Sequence, residues 1–262
     1  MIYPIWYILM YSLSGNVNIS NSSAFLVPEG FTLDAYRYLF KNNTVLRAYS
    51  NSFIVTLGGT LASLLLTAFT AFPLSREGLT GKKTILKFII FTMLFHGGII
   101  PTYLVIRSYR MVNTFWALIL PDAIAVYNLL VLIRFFKNIP ASLIEAAYID
   151  GYNDIGIFFR IVLPLSKAGL AVISLFYAVS LWNSFLPGLI YLNDPSLWPI
   201  QVVLFSLVTG TTAVDENITS QITNEQAIKM ATAFVAVLPI LLSYPFAQKY
   251  FVKGVMLGSV KA

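Results

Sequence analysis

Cysteine is absent from the 262 residues, which excludes a disulfide framework and any thiolate metal site. Histidine occurs once, at His96, which leaves little from which to build a metal centre or a histidine-activated nucleophile. Charged residues make up only 11%, where soluble domains carry about a quarter. No G-x-x-x-x-G-K-[ST] stretch is present, so no phosphate-binding loop equips this chain to use ATP by itself. No basic region precedes the first apolar stretch, as it would in a signal peptide.

What the chain has instead is apolar length. Hydrophobic residues reach 58% and the mean hydropathy is +0.77, the composition of an integral membrane protein. At about 20 apolar residues per spanning helix, the chain accommodates five or six, which predicts one all-α, polytopic membrane domain over residues 1–262. The net charge of +6 does not point to nucleic acid, because no soluble face exists on which the basic residues could cluster. Membrane orientation accounts for them better.

About six spans are expected, the first of them partial. Met1–Leu13 is uncharged, but at about 1.5 Å per residue it covers only about 20 Å of a core roughly 30 Å thick. It reads as the second half of a first helix. Ser14–Tyr49 is polar, with Asn and Ser crowded at Asn16–Ser23 and an amphipathic run at Asp34–Phe40, so an aqueous loop with a short surface helix is expected. The N-x-[ST] triplet at Asn42-Asn43-Thr44 is of a kind frequent by chance. Phe53–Ser75 is the second span, with Gly58-Gly59 suited to close packing. Phe88–Ile106 is the third, interrupted at His96-Gly97-Gly98 and Pro101. Phe115–Ile133 is the fourth and includes Pro121-Asp122 and Asn128. Ala168–Leu192 is the fifth, a polar loop runs from Asn193 to Lys229, and Met230–Gln248 is the sixth.

Lysine and arginine are divided unevenly between the two sides of such a bundle. Arg76, Lys82, Lys83, Lys87, Arg134, Lys137, Arg160, Lys167, Lys249, Lys253 and Lys261 fall on one side. Arg37, Lys41, Arg47, Arg107, Arg110 and Lys229 fall on the other. The excess predicts that the first side, with the segment between spans four and five and the C-terminus, is cytoplasmic.

That segment, about 138–165, is the chain's polar island. Ser142 and Glu145 have the S-x-x-E spacing of a capping box, and Gly151 stands where a helix would stop. A helix of roughly two turns is expected, with Ala146 and Ala147 leaving one side low enough for another surface to approach.

The pattern Glu145-Ala146-Ala147, three residues, Gly151, nine residues, Ile161-x-Leu163-Pro164 resembles the cytoplasmic signature loop of permease subunits of bacterial ABC importers. Leu181-Trp182-Asn183-Ser184-Phe185, the run Gly97–Tyr103 and the ending Tyr244–Val255 are similar to carbohydrate importers of the maltose type, in the branch taking up oligosaccharides and polysaccharide fragments, some containing uronate. The resemblance implies the transmembrane domain of a type I ABC importer in a bacterial cell membrane. It also implies a second, different permease subunit, two ATPase subunits holding ATP and Mg, an extracytoplasmic solute-binding protein and an oligosaccharide substrate. This chain would bind no cofactor or metal, catalyse no reaction itself and contact no nucleic acid; its other surroundings would be lipid. Rival readings are a permease for a non-sugar solute and a stand-alone secondary carrier.

The individual residues carry paired readings. Glu145, Asp150 and Gly151 suit helix capping and ending as well as ATPase docking, and the two are compatible. Ile161, Leu163 and Pro164 suit setting the return angle into the fifth span. Asp122 and His96, ionisable groups inside predicted spans, have to face protein or water, in a structural or a transport role. Trp182, Asn183 and Phe185 offer the ring faces and amide that bind sugars. Packing with a helix break at Pro187-Gly188 serves as well. Tyr127 and Asn128 are weaker candidates of the same kind.

Overall fold

The computed structural model describes residues 2–15, 27–41, 43–95, 97–209 and 225–259. The expectations for His96, Asn16–Ser23, Asn42 and residues 210–224 of the polar loop lie outside them. So do those for the side chains of residues 244–262, which include the basic tail. The regular elements among the described residues are helices. It divides into two compact units, one of residues 1–53 with 183–243 and the other of residues 54–182 with 244–262.

In the first unit, α1 (Ile2–Ser12) and the amphipathic α2 (Asp34–Lys41) are joined through Ser12 and Tyr36, whose hydroxyls lie 2.6 Å apart. Helix α3 (Asn43–Ser75) is 33 residues long and begins in this unit, about ten residues ahead of the predicted second span. Its early turns carry buried polar groups. Asn51 donates to the carbonyls of Ser196 and Trp198 at 2.9 and 3.2 Å, and Ser52 Oγ accepts the Ile200 amide at 2.8 Å. These bonds fasten the segment between α12 (Phe185–Tyr191) and α13 (Ile200–Thr209). The stretch expected as a polar loop after Leu192 therefore contains a buried helix, because Val202, Val203 and Ser206 line one side of it. Helix α14 (Glu225–Ser259) completes the unit with its residues up to Ser243, and Tyr49 donates its hydroxyl proton to the Val235 carbonyl on it.

In the second unit the chain runs from α3 through α4 (Lys82–Leu94), α5 (Ile99–Ser108), α6 (Trp116–Ile119) and α7 (Val126–Lys137) to α8 (Ala141–Ile149). A helix then begins as α9 (Asp154–Ile157), widens to a π-helix at Phe158–Val162, closes as α10 (Leu163–Leu165), and is followed by α11 (Lys167–Trp182). One apolar core holds the lower end of α3 (Ala68, Ala71, Leu74) against Leu132 and Phe136 of α7, Ile144 and Ala147 of α8, and Phe158. Helices α7 and α11 approach closely where Gly169 lies against the Phe135 ring. Of the Gly58-Gly59 pair, only Gly59 makes a close contact, with Leu181 and Ile119.

Two helical stretches among the described residues are long and apolar enough to cross a membrane, α3 and Gln226–Ser243 within α14. The count rises to four if the bent pairs α4 with α5, and Asp154–Leu165 with α11, are each one span. The chain is thus an all-α, multi-pass membrane protein, with fewer uninterrupted spans among the described residues than the roughly six expected. Backbone chemistry explains two of the differences. The predicted fourth span breaks into α6 and α7, because Pro121 removes an amide and Asp122 is carried in an exposed turn. The fifth ends at Trp182 and restarts at Phe185, so the break falls at Asn183-Ser184 and not at Pro187-Gly188. Pro187 is tolerated in the first turn of α12, where amides have no partner within the helix.

Candidate functional site

Pro140 fixes where the polar island becomes helical. Its φ of −56° and ψ of 132° keep the chain extended, and α8 starts at the next residue. The S-x-x-E capping box does not form: Pro140 occupies the cap position, Ser142 falls inside the first turn, and no side chain caps the helix. An early amide is met by the backbone instead, Leu143 donating to the Pro140 carbonyl at 3.2 Å.

The far end of α8 closes as a Schellman motif. Gly151 has φ 81°, its amide donates to Tyr148 O at 3.0 Å, and the Tyr152 amide donates to Ala147 O at 3.0 Å. An L-residue with a Cβ would pay about 1–2 kcal/mol for that backbone conformation. Asn153 then starts the following helix, its Oδ1 accepting the Gly156 amide at 2.8 Å.

Burial divides α8 into two faces. Ile144 and Ala147, three residues apart, point into the chain's own core. Leu143, Glu145, Ala146, Tyr148, Ile149 and Asp150 are exposed, Ile149 at 86%. Ala147 is therefore not part of a low outer side: its methyl group is what lets α8 lie close to its own core. The outward face combines bulky apolar groups with the carboxylates of Glu145 and Asp150.

After α8 the chain has to turn back. Pro164 has no amide, and its ring would strike the carbonyl four residues earlier, that of Arg160. The π-helix at Phe158–Val162 widens the backbone there, with the Leu163 amide reaching Phe158 O. Ile161 and Leu163 are half-buried against the core, while Pro164 is exposed. At Ser166 the axis bends by 83° into α11. The Ser166 hydroxyl is buried at 3% exposure and has no hydrogen-bond partner among the described residues.

A polar cluster that neither composition nor spacing signalled fastens α8 to the rest of its unit. Arg76, the residue after α3, donates from Nη2 to Tyr148 Oη at 2.8 Å, and Tyr148 Oη donates to Asp154 Oδ1 at 2.5 Å. The Arg76 guanidinium lies 5.0 Å from the Phe72 ring centre and 5.6 Å from that of Tyr148. Lys82 Nζ donates to the Arg76 carbonyl at 2.6 Å, which brings in the start of α4. The hydrogen bond to Asp154 pushes the Tyr148 hydroxyl above its ordinary pKa, with desolvation adding to it, so the tyrosine keeps its proton. Arg76 was visible only as one basic residue of a loop, and 72 residues separate it from Tyr148.

The six pathway candidates are less gathered. Asp122 is exposed in the turn before α7; Tyr127, exposed, has its ring 6.2 Å from Phe176 of α11; and Asn128 is buried at 6%. Trp182 is buried at the end of α11. Asn183, exposed, and Phe185, 4.8 Å from the Phe205 ring, belong to the other unit. A groove of about 390 Å³ beside α5 is lined by Pro101, Thr102, Ile106, Met111 and Pro121 among others, and by none of the six. Among the described residues no group of three His, Asp or Glu side chains is placed to hold a metal ion.

The described residues thus form a multi-pass, all-helical membrane chain with a short helix braced by its own core and exposed on its outer face. Residues 60–257 match the family described as the binding-protein-dependent transport system inner membrane component, and the chain belongs to that family. It is 45% identical to the polygalacturonan/rhamnogalacturonan transport system permease protein YtcP of Bacillus subtilis, over 98% of this chain and 92% of that one. It is 44% identical to protein LplC of the same organism, over 99% and 89%. Its fold matches a chain of a bacterial ABC transporter involved in the import of the acidic polysaccharide alginate, with a TM-score of 0.90 and 29% identity over 95% of this chain and 90% of that one. The protein is thus a permease subunit of an ABC importer.

Proposed function

We propose that this permease carries oligosaccharides cut from acidic, uronate-containing polysaccharides. The observation that carries the reading is a convergence of two relatives. A sequence relative is named for polygalacturonan and rhamnogalacturonan, and a structural relative serves alginate import. The chain forms the translocation path with a second, different permease; two ATPase subunits hold ATP and Mg, and an extracytoplasmic binding protein delivers the sugar. About six spans, the first of them partial and some of them broken helices, make residues 1–262 one transmembrane domain. The excess of Lys and Arg beside α8 supports a cytoplasmic position for it and for the C-terminus.

In this reading α8 seats on the ATPase through Glu145, Ala146, Ile149 and Asp150. Gly151 ends the helix, while Ile161, Leu163 and Pro164 shape the return into α11. Closure of the ATPases on ATP moves α8, and the helices fixed to it tilt, which shifts the cavity from one side of the membrane to the other. Trp182, Asn183, Phe185, Tyr127, Asn128 and Asp122 are this chain's share of the sugar path. The segment after Asn193 is the outward contact for the binding protein.

The test is ATPase activity of the assembled transporter in proteoliposomes with its binding protein. Oligogalacturonides are expected to stimulate hydrolysis and neutral oligosaccharides such as maltotriose are not. Equal stimulation by neutral sugars would remove the acidic-substrate reading, and stimulation by no glycan would remove the carbohydrate reading.

A further inference from the structure

The geometry points to Arg76 as the positioning residue that locks α8 to the end of α3, so that the two move as one body when ATP is bound. The inference rests on the reading of α8 as the ATPase-docking helix and adds where its motion goes. By chain connectivity alone, a push on α8 would travel back to α7 and forward through Asp154–Leu165 to α11. Arg76 adds a polar tie to the apolar core that α8 shares with α3, a helix that precedes it by some seventy residues.

Four contacts make the lock. The guanidinium meets Tyr148 of α8 by hydrogen bond and Asp154 at 3.6 Å, while its face lies over Phe72 of α3. Its carbonyl holds Lys82. The Arg76–Asp154 pair is weak by itself, because the Asp154 side chain is 70% exposed. The tyrosine hydroxyl between the two charges gives the cluster its direction, since it accepts from one and donates to the other. Below this polar layer, Phe158 stacks on Phe69 of α3 at 4.8 Å and packs against Phe72 at 5.3 Å. The rings hold α3 and the π-helix together, and Arg76 adds a polar attachment at α8 to the apolar core that Ile144 and Ala147 share with α3.

Lysine would not replace Arg76. An ammonium is a point charge without the planar fork that lies over Phe72 while reaching Tyr148 and Asp154.

This chain has no cysteine of its own, so labels on it report only the sites introduced. Cysteines at Ser142→Cys on α8 and Leu66→Cys on α3, both exposed, carry spin labels in the complete transporter, and their separation is measured without nucleotide and after trapping with ATP and vanadate. With Arg76 present the distance is expected to hold within about 1 Å. In Arg76→Gln and in Tyr148→Phe it should change with nucleotide by about 2 Å or more, the scale of helix shifts in switching proteins. The double variant should be no worse than either single one. A distance that changes with nucleotide in the parent, or one that stays fixed in both variants, overturns the inference. The docking reading is checked separately by a thiol-reactive linker at Glu145→Cys: capture of no ATPase subunit would reject docking, whatever the spin labels report.

Discussion

The ring of Phe135 on α7 occupies the space that a side chain at Gly169 on α11 would need. A Cβ built on Gly169 would stand 2.6 Å from Phe135 Cγ and 2.8 and 2.9 Å from its Cδ atoms. Aromatic rings do not yield by that much without displacing a helix. Gly169→Ala is therefore expected to cost about 1–3 kcal/mol through overpacking. Thermal unfolding of the detergent-solubilised complex reads the loss. Adding Phe135→Leu should return part of it, and an additive double variant would show that the two residues do not touch.

Tyr177 on α11 places its hydroxyl 2.6 Å from Thr67 Oγ1 on α3 and accepts the Ala125 amide at 3.1 Å. That amide opens α7, after the turn that divides the predicted fourth span. Tyr177→Phe strands both groups, at a cost of about 1–3 kcal/mol. Tyr127→Phe, on an exposed ring, is the control and should leave the unfolding midpoint unchanged.

Gly151→Ala and Glu145→Ala should separate folding from docking. The first forces an alanine into φ 81° with no steric contact within 4 Å, so its penalty of about 1–2 kcal/mol is backbone strain alone. Hydrogen exchange at the Gly151 position and at Tyr152 should quicken as the last turn of α8 frays. Glu145 is exposed, and no side chain caps α8, so Glu145→Ala should change stability by less than about 0.5 kcal/mol. Its effect is expected in the amount of ATPase that copurifies with the permease.

Asp194 precedes a short turn at Pro195–Leu197 and accepts the Ser196 amide at 2.8 Å. The Ser196 backbone and hydroxyl, with Arg47 adding a smaller pull, hold its carboxyl below the ordinary 3.8. A carboxylate depressed in the folded state contributes stability above its unfolded pKa and loses it as pH falls through the folded value. Protection of the Ser196 amide should therefore be constant above about pH 4 and decline below the ordinary carboxylate range. In Asp194→Asn, whose amide oxygen still accepts but does not titrate, the decline should be absent.

Much of the membrane class and of the island was legible because both rest on local chemistry. A 33-residue helix over the second predicted span follows from an uncharged run that needs no partner to be read. Gly151 was recognisable as a helix end because only glycine takes φ 81° at little cost. The capping box was misread for an equally local reason. Ser142 and Glu145 have the right spacing, but Pro140 starts α8 two residues earlier than that box requires. The break at Asn183-Ser184 was displaced because Pro187 marks a possible helix start as well as a helix interruption.

By itself, the sequence determined that this is a helical membrane protein with no cysteine and no phosphate-binding loop, and that a short helical island ending at Gly151 interrupts it. Composition and backbone preference act on each residue where it stands, so they can be read in a line. Only the tertiary structure decided that Ala147 faces inward, that Phe135 packs against Gly169, and that Arg76 grips Tyr148. Those facts depend on packing between residues far apart in the chain, and no periodicity within either partner encodes which one the other will meet.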